Sequence, residues 1–302
     1  MKIQSETLLI HEQKKNIRQI RWLIFWVLIS LNVMMLSIDA VFSFMPPPSP
    51  GLNYIRMIFT HILAVLLPVI IFFKTRETNS SQKILLRLNK IPAKQILIII
   101  VLAIAGQFII AISNIPMQMW LGIPTSPAPG TGFEILLAVI AVAIIPSILE
   151  EILFRGIIFG GLEKQSTTFA VIFSAFVFAM LHPNILNFFG YIFLGIITAM
   201  IMLRTKSLYA AIIYHFVYNL TAFVLGYTAS QTELTIAFIV WLFLSSIVVF
   251  VVTLFIFRLV TPNAPKYKAK NTAALLLGNI LSIPIMLCII LTVIIQYFKF
   301  FG

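Results

Sequence analysis

The sequence predicts an all-α fold, a polytopic membrane helix bundle of about eight to nine transmembrane helices. Three observations predict it. Hydrophobic residues make up 61% of the 302 residues and charged residues only 10%. Apolar stretches recur at lengths near the ~20 residues an α-helix needs to cross a ~30 Å hydrocarbon core. Most Lys and Arg lie between those stretches, where they act as topology signals and contacts to anionic headgroups. The net charge of +12 therefore points to a lipid bilayer as partner and not to nucleic acid. The single cysteine, Cys288, lies inside the last apolar run. That excludes a disulfide framework or a thiolate metal cluster and leaves an inert thiol in the core or against lipid.

Nine apolar segments follow in order, near 22–44, 55–73, 95–112, 133–160, 168–182, 187–203, 207–226, 233–257 and 275–297. The basic stretch from Lys2 to Arg21 leads into a long apolar run without a small-residue cleavage site, so a retained first span is expected rather than a cleaved signal peptide. Pro46-Pro47-Pro48 and Pro50-Gly51 end that span by removing donors and fixing φ. The connection from Ser113 to Gly132 is rich in Pro and Gly and carries no Lys or Arg. Within it, Met117-Gln118-Met119-Trp120 reads as an interfacial segment or a lid.

Positive charge concentrates before the first segment, between the second and third, between the sixth and seventh, and between the eighth and ninth. If all nine segments cross, these loops share one side. The positive-inside rule makes that side the cytoplasm, with the N-terminus inside and the C-terminus outside. No repeat of 20 to 50 residues and no soluble domain stands out.

Carboxylates at bilayer depth cost several kcal/mol, so the polar residues left inside these segments carry the functional signal. Glu150 and Glu151 stand side by side on a chain with nine acidic residues. Glu151 and Arg155 are i and i+4, on one helical face and within pairing reach. Glu150 lies about 100° round the helix, free to face something else. Pro146, four residues earlier, favours a kink that makes room for water. His182 ends the fifth segment before Pro183-Asn184, and His215 and Asn219 form a second i, i+4 pair. Counted at ~1.5 Å per residue from the expected cytoplasmic ends, Glu150, His215 and His182 lie about 15, 13 and 21 Å deep, so they can converge. Asp39 and His61, on the first two segments, read as interface anchoring or packing, paired with each other or with Arg56.

This inventory suits hydrolysis. A carboxylate takes a proton from water, an imidazole orients that water or protonates the leaving amine, and an amide with a second imidazole stabilises an oxyanion. Alternatively, Glu150, His182 and His215 hold Zn²⁺ with one open position. The specific His-Glu-x-x-His zinc-peptidase signature is absent, and spacing alone does not decide between the two.

Glu150-Glu151-x-x-x-Arg155, Phe178-x-x-x-His182 and His215-x-x-x-Asn219, in this order, resemble the motifs of the CPBP family. That family comprises CAAX-protease-like and Abi-like membrane proteins, including type II CAAX prenyl proteases and bacteriocin-processing or self-immunity proteins. Phe154-Arg155-Gly156 and Ser207-Leu208-Tyr209-Ala210 add to the likeness. It divides the chain into an N-terminal membrane region (1–132), a catalytic helical core (133–226) and C-terminal membrane helices (227–302).

The resemblance implies an intramembrane endopeptidase acting on membrane-associated peptides or proteins. Glu150 would activate water with His182 assisting. His215 and Asn219 would hold the oxyanion, and Glu151 and Arg155 would order the site. It implies either a metalloprotease or a metal-free, glutamate-dependent enzyme. A bacterial plasma-membrane location, with bacteriocin processing or self-immunity as the role, follows by analogy. The alternatives are a noncatalytic peptide-binding immunity or regulatory protein and, less favoured, a proton-coupled transporter.

Overall fold

A computed structural model describes residues 2–42, 49–75, 86–120, 130–182, 184, 187–229 and 235–301. Among them the chain forms ten helices: α1 (Lys2–Phe42), α2 (Pro50–Lys74), α3 (Ala93–Trp120), α4 (Gly132–Leu162), α5 (Thr167–Met180), α6 (Phe188–Thr205), α7 (Leu208–Ala229), α8 (Ile236–Val260), α9 (Thr272–Ile280) and α10 (Ile283–Phe301). No strand forms among the described residues beyond an isolated bridge between Leu88 and Ser207.

Helix starts are written into short polar side chains. Thr131 and Glu134 make a reciprocal capping box at the head of α4, satisfying donors that no helical carbonyl can reach. Ser166, Thr235 and Asn271 accept from the third residue of α5, α8 and α9 in the same way. One stop falls elsewhere than expected. α3 runs past Pro116 to Trp120, so Met117-Gln118-Met119-Trp120 ends a helix and is not part of a loop. Proline forfeits one backbone hydrogen bond there, and the helix continues through it.

Among the described residues seven helices are long and apolar enough to cross a membrane, and α9 with α10 makes an eighth candidate bent by 64°. The fifth apolar segment differs. α5 has 14 residues, about 21 Å of helix against a ~30 Å hydrocarbon core. Seven to eight candidate spans among the described residues stand beside the expected eight to nine, and the polytopic helical bundle is borne out. The C-terminal side, inferred from nine crossings, does not follow from this set.

The bundle core is aromatic, with Phe154, Phe159, Phe169, Phe173, Phe178 and Tyr214 almost fully buried. α7 packs against α3, α4 and α6, which puts it at the centre. Outward faces are apolar instead of charged. Trp241, Leu244, Val248, Val251, Phe255 and Leu259 on α8 are all exposed, a surface that water would penalise and lipid accepts. The protein is an integral membrane protein. Cys288 is buried between α1 and α5, so its thiol belongs to the core and not to the lipid face.

One end of the bundle is tied together by its connections. Arg87 pairs with Glu163 in the α4–α5 turn, and its carbonyl accepts from Leu208 N at the start of α7. Asn89 Nδ2 donates to Lys206 O at 2.6 Å, and Lys206 ends α6 in the left-handed region at φ 52°. These contacts set α4, α6 and α7, the helices that carry most of the polar cluster, in one register.

α5 and α6 approach through Gly195. A Cβ there would stand 2.7 Å from Ala175 Cα and 2.8 Å from Ala175 Cβ, so only hydrogen fits, as at other small-residue helix contacts in membranes. Gly195→Ala is expected to cost about 1–3 kcal/mol by overpacking, read as a lowered unfolding midpoint in detergent. Gly226→Ala, whose methyl would meet nothing within 4 Å, should leave that midpoint unchanged or raised.

Candidate active site

α4 brings the two adjacent carboxylates to mid-bundle, and its backbone widens on both sides of them. π-helical turns occupy Ile140–Ile144 and Ile152–Phe159, around the α-helical Ile145–Glu151. Such turns are rare and gather at functional sites because they rotate side chains out of the regular 3.6-residue succession. Pro146 sits at the start of the intervening segment, where its missing donor disturbs least.

Glu151 is the buried anchor. Its Oε1 lies 3.0 Å from Arg155 Nη1 and accepts from His215 Nδ1 at 2.8 Å. The side chains of Glu151 and Arg155 are 0% exposed and that of His215 is 2%. Arg155 also donates from Nη2 to Gly195 O at 3.3 Å, and its guanidinium covers the Phe178 ring at 4.7 Å. A carboxylate only accepts, so the His215 proton sits on Nδ1 and the lone pair of the neutral ring is on Nε2. Nε2 points toward Glu150.

Glu150 is caged on both oxygens. Nε2 of His182 and of His215 lie 3.8 and 3.9 Å from its Oε2, and Nε2 of His61 lies 3.6 Å from its Oε1. The other nitrogen of each added ring faces a backbone acceptor. His182 Nδ1 meets Phe178 O at 2.8 Å and His61 Nδ1 meets Met57 O at 3.2 Å. With the rings neutral, these Nδ1 contacts leave an Nε2 lone pair of each facing one carboxylate. Glu150 Oε2 has no hydrogen-bond partner in this structure. Three such nitrogens, none closer than 3.6 Å to the carboxylate, call for a donor between, and water supplies two protons. The edge of the cluster is open, with His61 and His182 24% and 23% exposed.

Of the residues singled out in the sequence, Glu150, Glu151, Arg155, His182 and His215 come together. Asn219 stands apart. Its Nδ2 donates to Val142 O in the first π-helical turn of α4 at 3.1 Å, tying α7 to that widened backbone. His61 is the principal surprise, because its expected role was packing. The side chain of its proposed partner Asp39 lies outside the described residues. A lone histidine in an apolar helix carries no local cue, although the π-helical turn at Ile62–Leu66 directly follows it. Tyr191 also escaped notice. It stacks on His182 at 3.9 Å and 22°, fixing the ring plane, and no spacing rule marks it.

Fold and site together define a polytopic helical membrane protein with a buried carboxylate and histidine centre. Comparison with known proteins places the core more closely. Residues 132–221 match the family described as type II CAAX prenyl endopeptidase Rce1-like. A protein of Bacillus subtilis (strain 168) named "Putative membrane peptidase YdiL" is 37% identical over 84 residues, which is 28% of this chain and 34% of that protein. The chain thus spans about a third of the length of that curated relative. No solved structure matches it. These findings bear out the CPBP resemblance read from the three motifs.

The Arg155 and Glu151 pair has a measurable consequence for stability. Removing one member of a buried pair strands the other charge, at a cost of about 3–5 kcal/mol. Arg155→Met is expected to lower unfolding free energy by that order, and the double variant with Glu151→Met to recover much of it. Equal loss in single and double variants would show that the pair is not coupled.

Proposed function

We propose that the protein is an intramembrane endopeptidase that hydrolyses peptide bonds of membrane-associated peptides or proteins, with Glu150 as the base that activates water. The single observation that carries this reading is the placement of Glu150. It is a carboxylate with an unpartnered oxygen, faced by imidazole Nε2 atoms on both sides and set at the open edge of a largely apolar bundle. A purely structural carboxylate at this depth would be paired as Glu151 is.

In this mechanism water bound beside Glu150 Oε2 is oriented by His182, whose ring is held by Tyr191 and by its bond to Phe178 O. Glu150 takes a proton as the water oxygen attacks the scissile carbonyl carbon. His215 stabilises the charge that develops on the carbonyl oxygen as the imidazolium, donating from Nε2 while Glu151 on its Nδ1 offsets the ring's charge. Asn219, whose Nδ2 donates to Val142 O, ties α7 and with it His215 to the widened backbone of α4. Arg155 holds Glu151 and so acts as a positioning residue.

Zinc is the competing reading, and its donor types are present in Glu150, His182 and His215. Their spacing is wider than that of a closed tetrahedral set. Two ligands of one tetrahedral zinc lie ~3.3 Å apart at ~2.0–2.1 Å bond lengths, whereas these gaps are 3.8 and 3.9 Å. Among the described residues no group of three such side chains has metal-holding geometry. The spacing favours a water site, and no step is drawn through a metal. Cleavage is therefore expected to continue at full rate in chelator with zinc well below one per chain by elemental analysis. Inhibition reversed by added Zn²⁺ would assign the metal instead.

The loop charges favour an N-terminus in the cytoplasm, and analogy with the family that the motifs resemble favours a bacterial plasma membrane and a peptide substrate such as a bacteriocin precursor or a membrane protein's tail. Purified protein in detergent or nanodiscs is expected to cleave a membrane peptide, with Glu150→Ala, His182→Ala and His215→Ala each losing at least about 100-fold in kcat. Peptidomics of membranes holding wild-type or Glu150→Ala protein would name the substrate. Full turnover by Glu150→Ala would remove the assignment. Protection against a peptide toxin that survives all three substitutions would instead favour sequestration.

A further inference from the structure

Hydrolysis of an amide needs a proton delivered as well as one removed. Glu150, His182 and His215 account for the attacking side, and the proton that Glu150 gains there has to reach the leaving nitrogen. His215 is unsuited, being 2% exposed and tied through Nδ1 to Glu151. His182 is clamped between Tyr191, stacked at 3.9 Å, and Phe178, whose ring lies 4.8 Å away, and it shares Oε2 with His215.

His61 differs on each count. It alone among the three imidazoles faces Oε1 of Glu150, at 3.6 Å. It comes from α2, outside the 132–221 segment that matches the family. It stands at the open edge, as exposed as His182. Its Nδ1 is engaged by Met57 O, which leaves Nε2 to take and give a proton. The backbone supports the placement independently. The described π-helical turns occur in only two helices, directly after His61 and on both sides of the Glu150-Glu151 pair, and the His61 turn packs against the segment that carries Glu150.

We infer that His61 is a catalytic residue that protonates the leaving amine. This rests on the peptidase reading and extends it. The water oxygen bonds to the carbonyl carbon and its proton passes to Glu150. The Glu150 carboxyl turns about its terminal torsion and hands that proton to His61 Nε2. The C–N bond breaks, and the amine nitrogen, leaving with the bonding electron pair, takes the proton from Nε2. One water is consumed, a carboxylic acid and an amine are released, and both side chains return to their starting forms. The 3.6 Å gap exceeds direct hydrogen-bond reach, and such contacts commonly tighten when substrate binds.

Leaving-group dependence tests the role, because an alkoxide departs without the protonation an amine requires. Purified wild-type, His61→Ala, His61→Gln and Glu150→Ala proteins would be assayed on one membrane peptide carrying either an amide or an ester at the scissile position. His61→Ala is expected to lose about 100-fold or more in kcat on the amide, with KM little changed, and only a few-fold on the ester. Glu150→Ala should lose both. His61→Gln, which fills the space without an acid, should follow His61→Ala. Equal loss on both substrates would reduce His61 to a positioning residue and overturn the assignment. Wild-type kcat in His61→Ala would also overturn it while leaving the peptidase reading intact. Absence of Glu150-dependent cleavage of either substrate would overturn both.

Discussion

Two carboxylates inside an apolar bundle are the constraint on which the rest depends. Neither is tolerable there without compensation. Glu151 obtains it from Arg155 and His215, and the geometry of that solution spreads outward. Arg155, itself fully buried, needs an acceptor beyond Glu151 and finds it in the Gly195 carbonyl. Gly195 is glycine where α6 touches α5, because a methyl would strike Ala175. Phe178, on α5, then lies under the guanidinium and edges toward both His182 and His215. One buried ion pair thus ties four helices.

α5 shows how helix length becomes a functional variable. At about 21 Å it ends well short of a full crossing, and His182 follows in the turn beyond Met180. A full-length helix would carry that residue to the far surface. Non-helical backbone at membrane depth is tolerated where protein or a watered cavity surrounds it. The turn at His182 meets that condition, with its ring against Tyr191 and facing Glu150. The short helix supplies both a histidine at the right depth and a wet edge.

What could be read from the sequence follows the same physics. Glu150, Glu151, Arg155, His182 and His215 are legible because ionisable groups in apolar runs are expensive, and i, i+4 spacing pairs Glu151 with Arg155 before any coordinates exist. His61 was not legible in that way. Its partner lies on another helix 89 residues on in sequence, and a single imidazole in an apolar helix reads as packing. The π-helical turns have no sequence signature, so the depth count at 1.5 Å per residue predicted convergence without predicting which faces meet. The same count treated the fifth segment as a crossing, because it continued the apolar run through Leu181 and His182 into the turn. Tyr191 and Gly195 matter through ring stacking and close approach, which only the packed bundle reveals.

Adjacent residues on a helix point about 100° apart, and this separates the two carboxylates into different environments. Glu151 turns inward, where Arg155 and His215 are sealed from solvent. Glu150 turns toward the edge, where His61 and His182 keep about a quarter of their side-chain surface exposed. Hydrolysis in a membrane needs this gradient. Water must reach one carboxylate, yet the structure around it must not depend on water for its own charge balance. A single carboxylate could not be both the anchor that holds the helices and the base that exchanges a proton, since each protonation would unfasten the bundle. With the anchor on Glu151, Glu150 can gain and lose a proton while Arg155, His215 and Gly195 keep the site in place.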